Sequence, residues 1–189
     1  ISSYNTGTEV GIMFNDGPLG SGHYQLTINS VLTDLLGNEL DGNRDGTGGD
    51  GYQYIFDVDL SEYTNRGLVF EGRSNNTSAS AVEISLTETI AGSGYYLGRG
   101  FGTQYSEKKD RWGDPDYWWI EVNKGDKIAV AVDTPHSSVA PYLEFRDSSD
   151  SVLRADTTGG PHNDSYISYY SLPSDGMYYI RVGTNDHNY

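Results

Sequence analysis

Cysteine is missing from all 189 residues. That excludes thiol nucleophiles, thiolate metal sites and disulfide staples, and a large domain needs no such staple to fold. Basic residues are scarce as well: 12 Lys and Arg stand against 27 Asp and Glu, a formal charge of −15. Nucleic-acid phosphates demand a basic footprint, and anionic membrane surfaces repel such a chain, so neither is an expected partner. Calcium, basic partners or plain solubility in a salty exterior fit the charge instead. No apolar run approaches the roughly 18 residues that span a bilayer, and no signal peptide is visible. The first residue is Ile1, not Met, which fits a processed piece of a longer chain.

Catalytic constellations are absent too. His23, His136, His162 and His187 are dispersed, and none falls in a His-x-x-x-His metal spacing. There is no Gly-x-Ser-x-Gly elbow, and "GRGFG" lacks the Lys/Ser partner and following helix of a phosphate loop. Catalysis needs convergent groups with tuned pKa values, so the expectation is a protein that is not an enzyme.

What the chain does have is tyrosine, 16 of them, within an aromatic content of 13% and a hydrophobic content of only 35%. Tyrosine and tryptophan bury area while keeping a polar handle, so a β core is within reach. Period-two alternation runs through "GHYQLTI" (22–28), "YQYIFDV" (52–58), "YWWIEV" (117–122), "KIAVAV" (127–132), "PYLEF" (141–145) and "MYYIRV" (177–182). In the second of these, Tyr54, Phe56 and Val58 share one face. Between the later runs lie "NKGD", "RDSSD" and "LPSDG", which carry turn chemistry. Short alternating strands separated by such turns predict an all-β chain of antiparallel β-sandwich modules. The polar stretch "EGRSNNTSAS" (71–80) predicts a boundary, with one module over 1–70 and another over 74–189; a single continuous sandwich is the other arrangement. Asn-x-Ser/Thr patterns in "NNTS" and "NDS" read as chance.

Four motifs in order, "NNTSASAVEI", "GDPDYWWIEVNKGDKIAVAVDTP", "YLEFRDSSDSVLRAD" and "YSLPSDGMYYIRV", make residues 74–182 resemble the bacterial pre-peptidase C-terminal domain family. That resemblance implies a small jelly-roll or sandwich appended to secreted peptidases and other surface proteins. "HYQLTINSVLTDLLGNELDGNRDGTGGDGYQYIFDVDL" (23–60) is similar to the tail of a bacterial immunoglobulin-like domain, with its Tyr-x-Leu strand, Thr-Asp-x-x-Gly-Asn turn and Asp/Gly-rich loop. The earlier strands of such a domain are not seen before Ile1, and a usual last strand after "YIRV" is not evident.

The acidic loop "LDGNRDGTGGD" (40–50) raises the question of metal. Asp41-x-Asn43-x-Asp45-Gly46 fits the opening of an EF-hand calcium loop, but its twelfth position is Tyr52 where a bidentate glutamate belongs. Asp50, a carbonyl near Thr47, or Asp34 folding back completes a shell in the calcium reading. In the alternative the loop is a metal-free set of Asx turns. Mutual repulsion of three carboxylates within ten residues favours the ion. The resemblance places a second acidic group, Asp114 and Asp116, at the edge of the aromatic strand, opposite a loop holding Asp156, Asn163 and Asp164. Ca²⁺ there competes with neutralisation by Lys108, Lys109 and Arg111.

Period two with Trp118, Ile120 and Val122 inward sends Tyr117, Trp119 and Glu121 outward. Ile128, Val130 and Val132 inward leave Ala129 and Ala131 outside, a shallow shelf beside an outward tryptophan. With Trp112 from the preceding loop, these aromatics form a candidate platform for a glycan or peptide; cover by a neighbouring module is the bland alternative.

The combined expectation is a non-catalytic, calcium-stabilised β module of a large secreted or cell-surface bacterial protein. Its role is adhesive or architectural, with neighbouring modules or further copies of the chain as partners. A sandwich short of a strand leaves an edge that an extended terminus can fill. Residues 1–10 and 183–189 are the candidate donors, and a filament or homopolymer is the outcome. A carbohydrate- or peptide-binding module, and a processed accessory domain of a secreted peptidase, are the alternatives.

Overall fold

A computed structural model describes residues 3–5, 9–11, 18–34, 36–72, 74–103, 114–135 and 139–184. Trp112 and residues 185–189 lie outside the described residues. The strands are β1 (Ser3–Asn5), β2 (Glu9–Gly11), β3 (Gly22–Ile28), β4 (Tyr52–Val58), β5 (Leu68–Phe70), β6 (Val82–Glu83), β7 (Thr87–Glu88), β8 (Tyr96–Leu97), β9 (Arg99–Phe101), β10 (Asp116–Val122), β11 (Lys127–Ala131), β12 (Pro141–Arg146), β13 (Val152–Asp156), β14 (Tyr166–Ser171) and β15 (Gly176–Thr184). One short helix, α1 (Ser61–Thr64), is the only α-helix among the described residues. All six alternating runs of the sequence form strands, and the chain is an all-β sandwich protein.

The chain divides into two compact units, residues 19–63 and residues 1–18 with 64–189. The smaller unit is a two-stranded antiparallel ribbon of β3 and β4. Its register pairs Tyr24 with Phe56, Leu26 with Tyr54 and Ile28 with Tyr52, so one face is apolar and aromatic. The Tyr24 and Phe56 rings stack at 5.8 Å, and Tyr54 and Phe56 at 5.9 Å. On the other face the exposed side chains of His23 and Asp57 are in contact. No described residue of this unit is buried. A lone ribbon of this kind is marginal in water.

In the larger unit, β1 and β2 pair with each other, so part of the proposed N-terminal donor segment is already laddered. A five-stranded sheet in the order β13-β12-β15-β10-β6 forms one layer. Trp118 and Ile120 from β10, Leu143 and Phe145 from β12, and Tyr178 and Ile180 from β15 project from it into the core. Val69 on β5, Ile128 and Val130 on β11, and Ile167 on β14 close that core from the other side. Leu143 and Phe145 are fully buried, worth about 1.5–3 kcal/mol each against exposure. Phe145 stacks on Tyr178 at 5.4 Å and meets the Tyr170 edge at 5.6 Å.

Two features of the structure bear on the sequence reading. The stretch 71–80 is laced onto the sandwich, with Tyr117 N donating to Asn75 O at 2.8 Å and Ser78 Oγ to Asp150 Oδ2 at 3.2 Å. The compact units part at Pro18/Leu19 and at Tyr63/Thr64. Strand β11 also does not return beside β10. Both edges of β10 are taken by β15 and β6, while β11 pairs with β14 in the opposite layer. The turn at Asn123–Asp126 crosses between layers because both strands bury their apolar phase in the same core, facing each other across it.

Candidate functional site

In the loop over 40–50 the carboxylates serve the loop's own amides. Asp41 accepts from Asp45 N at 3.1 Å and from Gly46 N at 2.8 Å. Asn43 Oδ1 accepts from Asp45 N at 2.8 Å, Asp45 Oδ1 from Thr47 N at 2.8 Å, and Asp50 Oδ1 from Gly42 N at 2.6 Å. These are Asx turns, in which a short acidic side chain stands in for a backbone carbonyl. Gly42 is required sterically, since a Cβ there would come within 2.3 Å of the Gly51 carbonyl. The Thr47 amide, together with Asn43, holds the Asp45 carboxyl below the usual range.

The second acidic group is dispersed. Asp116 pairs with Val182, Val182 with Leu143, and Leu143 with Asp156. Asp116 and Asp156 therefore stand three strand spacings apart, roughly 14 Å, whereas calcium ligands lie about 2.3–2.6 Å from the ion. One ion cannot take both. Asp156 Oδ2 instead accepts from Gly159 N at 2.7 Å and Tyr166 N at 2.9 Å, and Asp164 Oδ1 accepts from Thr134 Oγ1 at 2.6 Å. Asp114 takes the Asn76 amide at 2.6 Å. Among the described residues no three His, Cys, Asp or Glu side chains gather as a metal group.

The aromatic strand presents its residues as period two requires, yet its outer face is not an open platform. Tyr117 is buried, edge-on to Tyr179 at 6.4 Å with the Arg181 guanidinium 5.9 Å from its ring. Burial pushes the Tyr117 hydroxyl pKa up, partly offset by Arg146. Trp119 is half-buried and registers with Tyr179 and Glu83. Ala129 and Ala131 are exposed, but on the opposite layer, so the shelf beside Trp119 does not form.

Sequence reading missed two buried polar clusters. On the outer face of the five-stranded sheet, Glu144 Oε2 accepts from Arg146 Nη2 at 2.7 Å and Arg181 Nη1 at 2.9 Å, while Tyr142 OH donates to Oε1 at 3.0 Å. Arg146 Nη1 continues to the Asp150 carbonyl at 2.6 Å. The second cluster lies where the 71–76 lead-in meets β10. Glu71 is 6% exposed, and its Oε1 accepts from Thr103 N at 2.6 Å and Thr103 Oγ1 at 3.0 Å. Its Oε2 is buried without a hydrogen-bond partner among the described residues. Asn75 is 1% exposed. With its amide nitrogen turned inward it donates to Gly72 O at 3.0 Å and Asp116 Oδ1 at 3.2 Å. With its oxygen inward, three oxygens confront one another at those same distances, and Nδ2 reaches Tyr117 O at 3.4 Å. The signal for this cluster in sequence is faint: acid and amide residues in a polar stretch that reads as linker.

Among the described residues no helix is long and apolar enough to cross a membrane. No curated protein and no solved structure matches the chain significantly. The immunoglobulin-like resemblance of the first part is not confirmed. The second resemblance is. Residues 114–184, from the acidic turn before β10 to the end of β15, match the family model of the bacterial pre-peptidase C-terminal domain, a non-catalytic accessory domain of peptidases and other secreted proteins.

Proposed function

We propose that this chain supplies a non-catalytic attachment or spacing module to a larger secreted protein, and that calcium fixes the 71–76 lead-in to the sandwich. The observation that carries the calcium reading is the Glu71 carboxylate, nine-tenths buried with Oε2 unmatched among the described residues. A buried carboxylate oxygen left without a donor costs about 1–3 kcal/mol, more when charged. A few residues along the same lead-in, Asn75, the Gly72 carbonyl and Asp116 bring oxygen atoms together, the hard-donor chemistry that suits Ca²⁺. A bound ion would neutralise Glu71 and Asp116 and tie the lead-in to β10.

The test is a melting curve of the parent and of Glu71→Gln, each with chelator and with added calcium. The reading expects calcium to raise the parent's transition by RT ln(1 + [L]/Kd), about 2.7 kcal/mol at a hundredfold excess over Kd, and to leave Glu71→Gln unmoved. A parent transition indifferent to chelation would mean that Asn75 is turned nitrogen-inward and no ion is held, and the proposal would be abandoned.

A further inference from the structure

Strand β14 contains a bulge that changes which of its side chains reach solvent. Ile128 pairs with Tyr170 and Val130 with Ile167, so Ser168 and Tyr169 together oppose the single residue Ala129. Plain alternation from Ile167, which is buried, would turn Tyr169 inward as well. Instead Tyr170 takes the inner place against Phe145, and Tyr169 stands 77% exposed. Its φ is +48°, a left-handed conformation that a bulky side chain rarely adopts. Strain of this kind persists only where the surroundings over-determine it, and it clusters at functional sites; bulges likewise re-aim side chains there.

The surroundings do hold the strand firmly. Ser165 is fully buried, with Oγ donating to Pro141 O at 2.7 Å, and Asp156 pins the Tyr166 amide. Tyr166, cross-strand from Ala131, is itself 37% exposed. The outer face of β11–β14 thus sets two tyrosine rings around a floor of Ala129 and Ala131, with the hydroxyl of Ser168 between. Lys127 shares the outward phase of Ala129 and Ala131 and is exposed, so this face of the ladder carries one ammonium and no carboxylate. Rings and hydroxyls over a flat floor, with one ammonium at the edge and no carboxylate, complement a ligand with C–H faces and hydroxyls of its own. From this geometry we infer that the outer face of β11–β14 binds a neutral oligosaccharide, with Tyr169 and Tyr166 stacking on its rings. The inference is independent of the calcium reading, since none of these residues belongs to the Glu71 cluster.

Affinity electrophoresis of the whole chain through gels containing hydroxyethylcellulose, xylan, galactomannan or soluble starch tests it, with an albumin gel as polypeptide control. The parent is expected to be retarded by at least one polysaccharide. Tyr169→Ala and Tyr169→Gly should each weaken that retardation about tenfold or more, as loss of a central aromatic anchor does. Because glycine accepts a positive φ freely, Tyr169→Gly should melt no lower than the parent while losing the ligand, a split that a purely structural tyrosine would not give. Unaltered migration in all four polysaccharides overturns the inference. So does retention that survives both variants, equal retardation in albumin, or a marked loss of stability in Tyr169→Gly.

Discussion

Glu144 and Arg181 are buried cross-strand neighbours, paired between β12 and β15 with Arg181 Nη1 2.9 Å from Glu144 Oε2. The same carboxylate holds Arg146, so one glutamate neutralises two guanidiniums with Tyr142 capping its other oxygen. Removing it takes a buried carboxylate from Arg181, which is 8% exposed, and leaves Arg146 with Asp150. Glu144→Ala is therefore expected to cost about 3 kcal/mol, as breaking a buried charge pair from one side does, read as a lowered urea midpoint. Replacing Glu144, Arg146 and Arg181 together by apolar residues should cost much less. A single-variant loss below about 1 kcal/mol would mean that water already screens the cluster.

Acid should weaken the fold by a route whose sign is set by the same residue. Burial alone would raise the Glu144 pKa, but the hydrogen bonds from Arg146 and Tyr142 and the charges of both arginines outweigh it, and the net direction is down. A depressed carboxyl contributes stability in full above its unfolded pKa and loses it as pH falls through the folded one. Asp34, Asp147 and Glu88 are lowered as well, by hydrogen bonds from Asn38, from Ser149 and from the Gly94 amide respectively. Denaturant midpoints are thus expected to hold down to the ordinary carboxyl range and decline below it. In Glu144→Gln the decline should be shallower, since one depressed group no longer titrates. Midpoints that rise steadily with acidification would mean that relief of the −15 charge outweighs these contacts.

Gly100 and Gly102 separate packing from the Glu71 cluster. A Cβ on Gly100 would sit 3.2 Å from the Trp118 ring, whereas one on Gly102 would sit 2.5 Å from Glu71 Oε2. Gly100→Ala should lower the melting temperature, by an overpacking penalty of about 1–3 kcal/mol, and leave its response to calcium intact. Gly102→Ala should displace the Glu71 carboxylate and remove that response. Equal calcium shifts in the two variants would detach Glu71 from the ion.

The faces of the strands were legible in sequence; their neighbours were not. Alternation in "YWWIEV" and "KIAVAV" correctly assigns Trp118, Ile120, Ile128 and Val130 to the core. It does not say whether two runs lie side by side or across from one another, because both arrangements bury the same phase. Hence the shelf of Ala129 and Ala131 falls on the layer away from Trp119. Buried charge was hidden for a related reason. Glu144 looks like a solvated strand residue until Arg181, 37 positions later, arrives beside it. Tyr169 was invisible to a period-two reading because the bulge breaks the period at that point.

The loop over 40–50 decides between turn and ion one amide at a time. Each candidate ligand already accepts an identified backbone proton: Asp41 from Gly46, Asp45 from Thr47 and Asp50 from Gly42. Slow hydrogen exchange is therefore expected at those three amides in calcium-free buffer, measured by two-dimensional NMR. Asp45→Ala should speed exchange at Thr47 while sparing Gly46, whose acceptor is Asp41. Titrated calcium should leave the loop resonances in place while shifting those of Glu71, Asn75 and Thr103. Movement of the 41–50 resonances at low calcium, with Glu71 silent, would transfer the ion to this loop. The carboxylates would then have to exchange amide protons for metal, and the Asx turns described above would be the apo state of a calcium site.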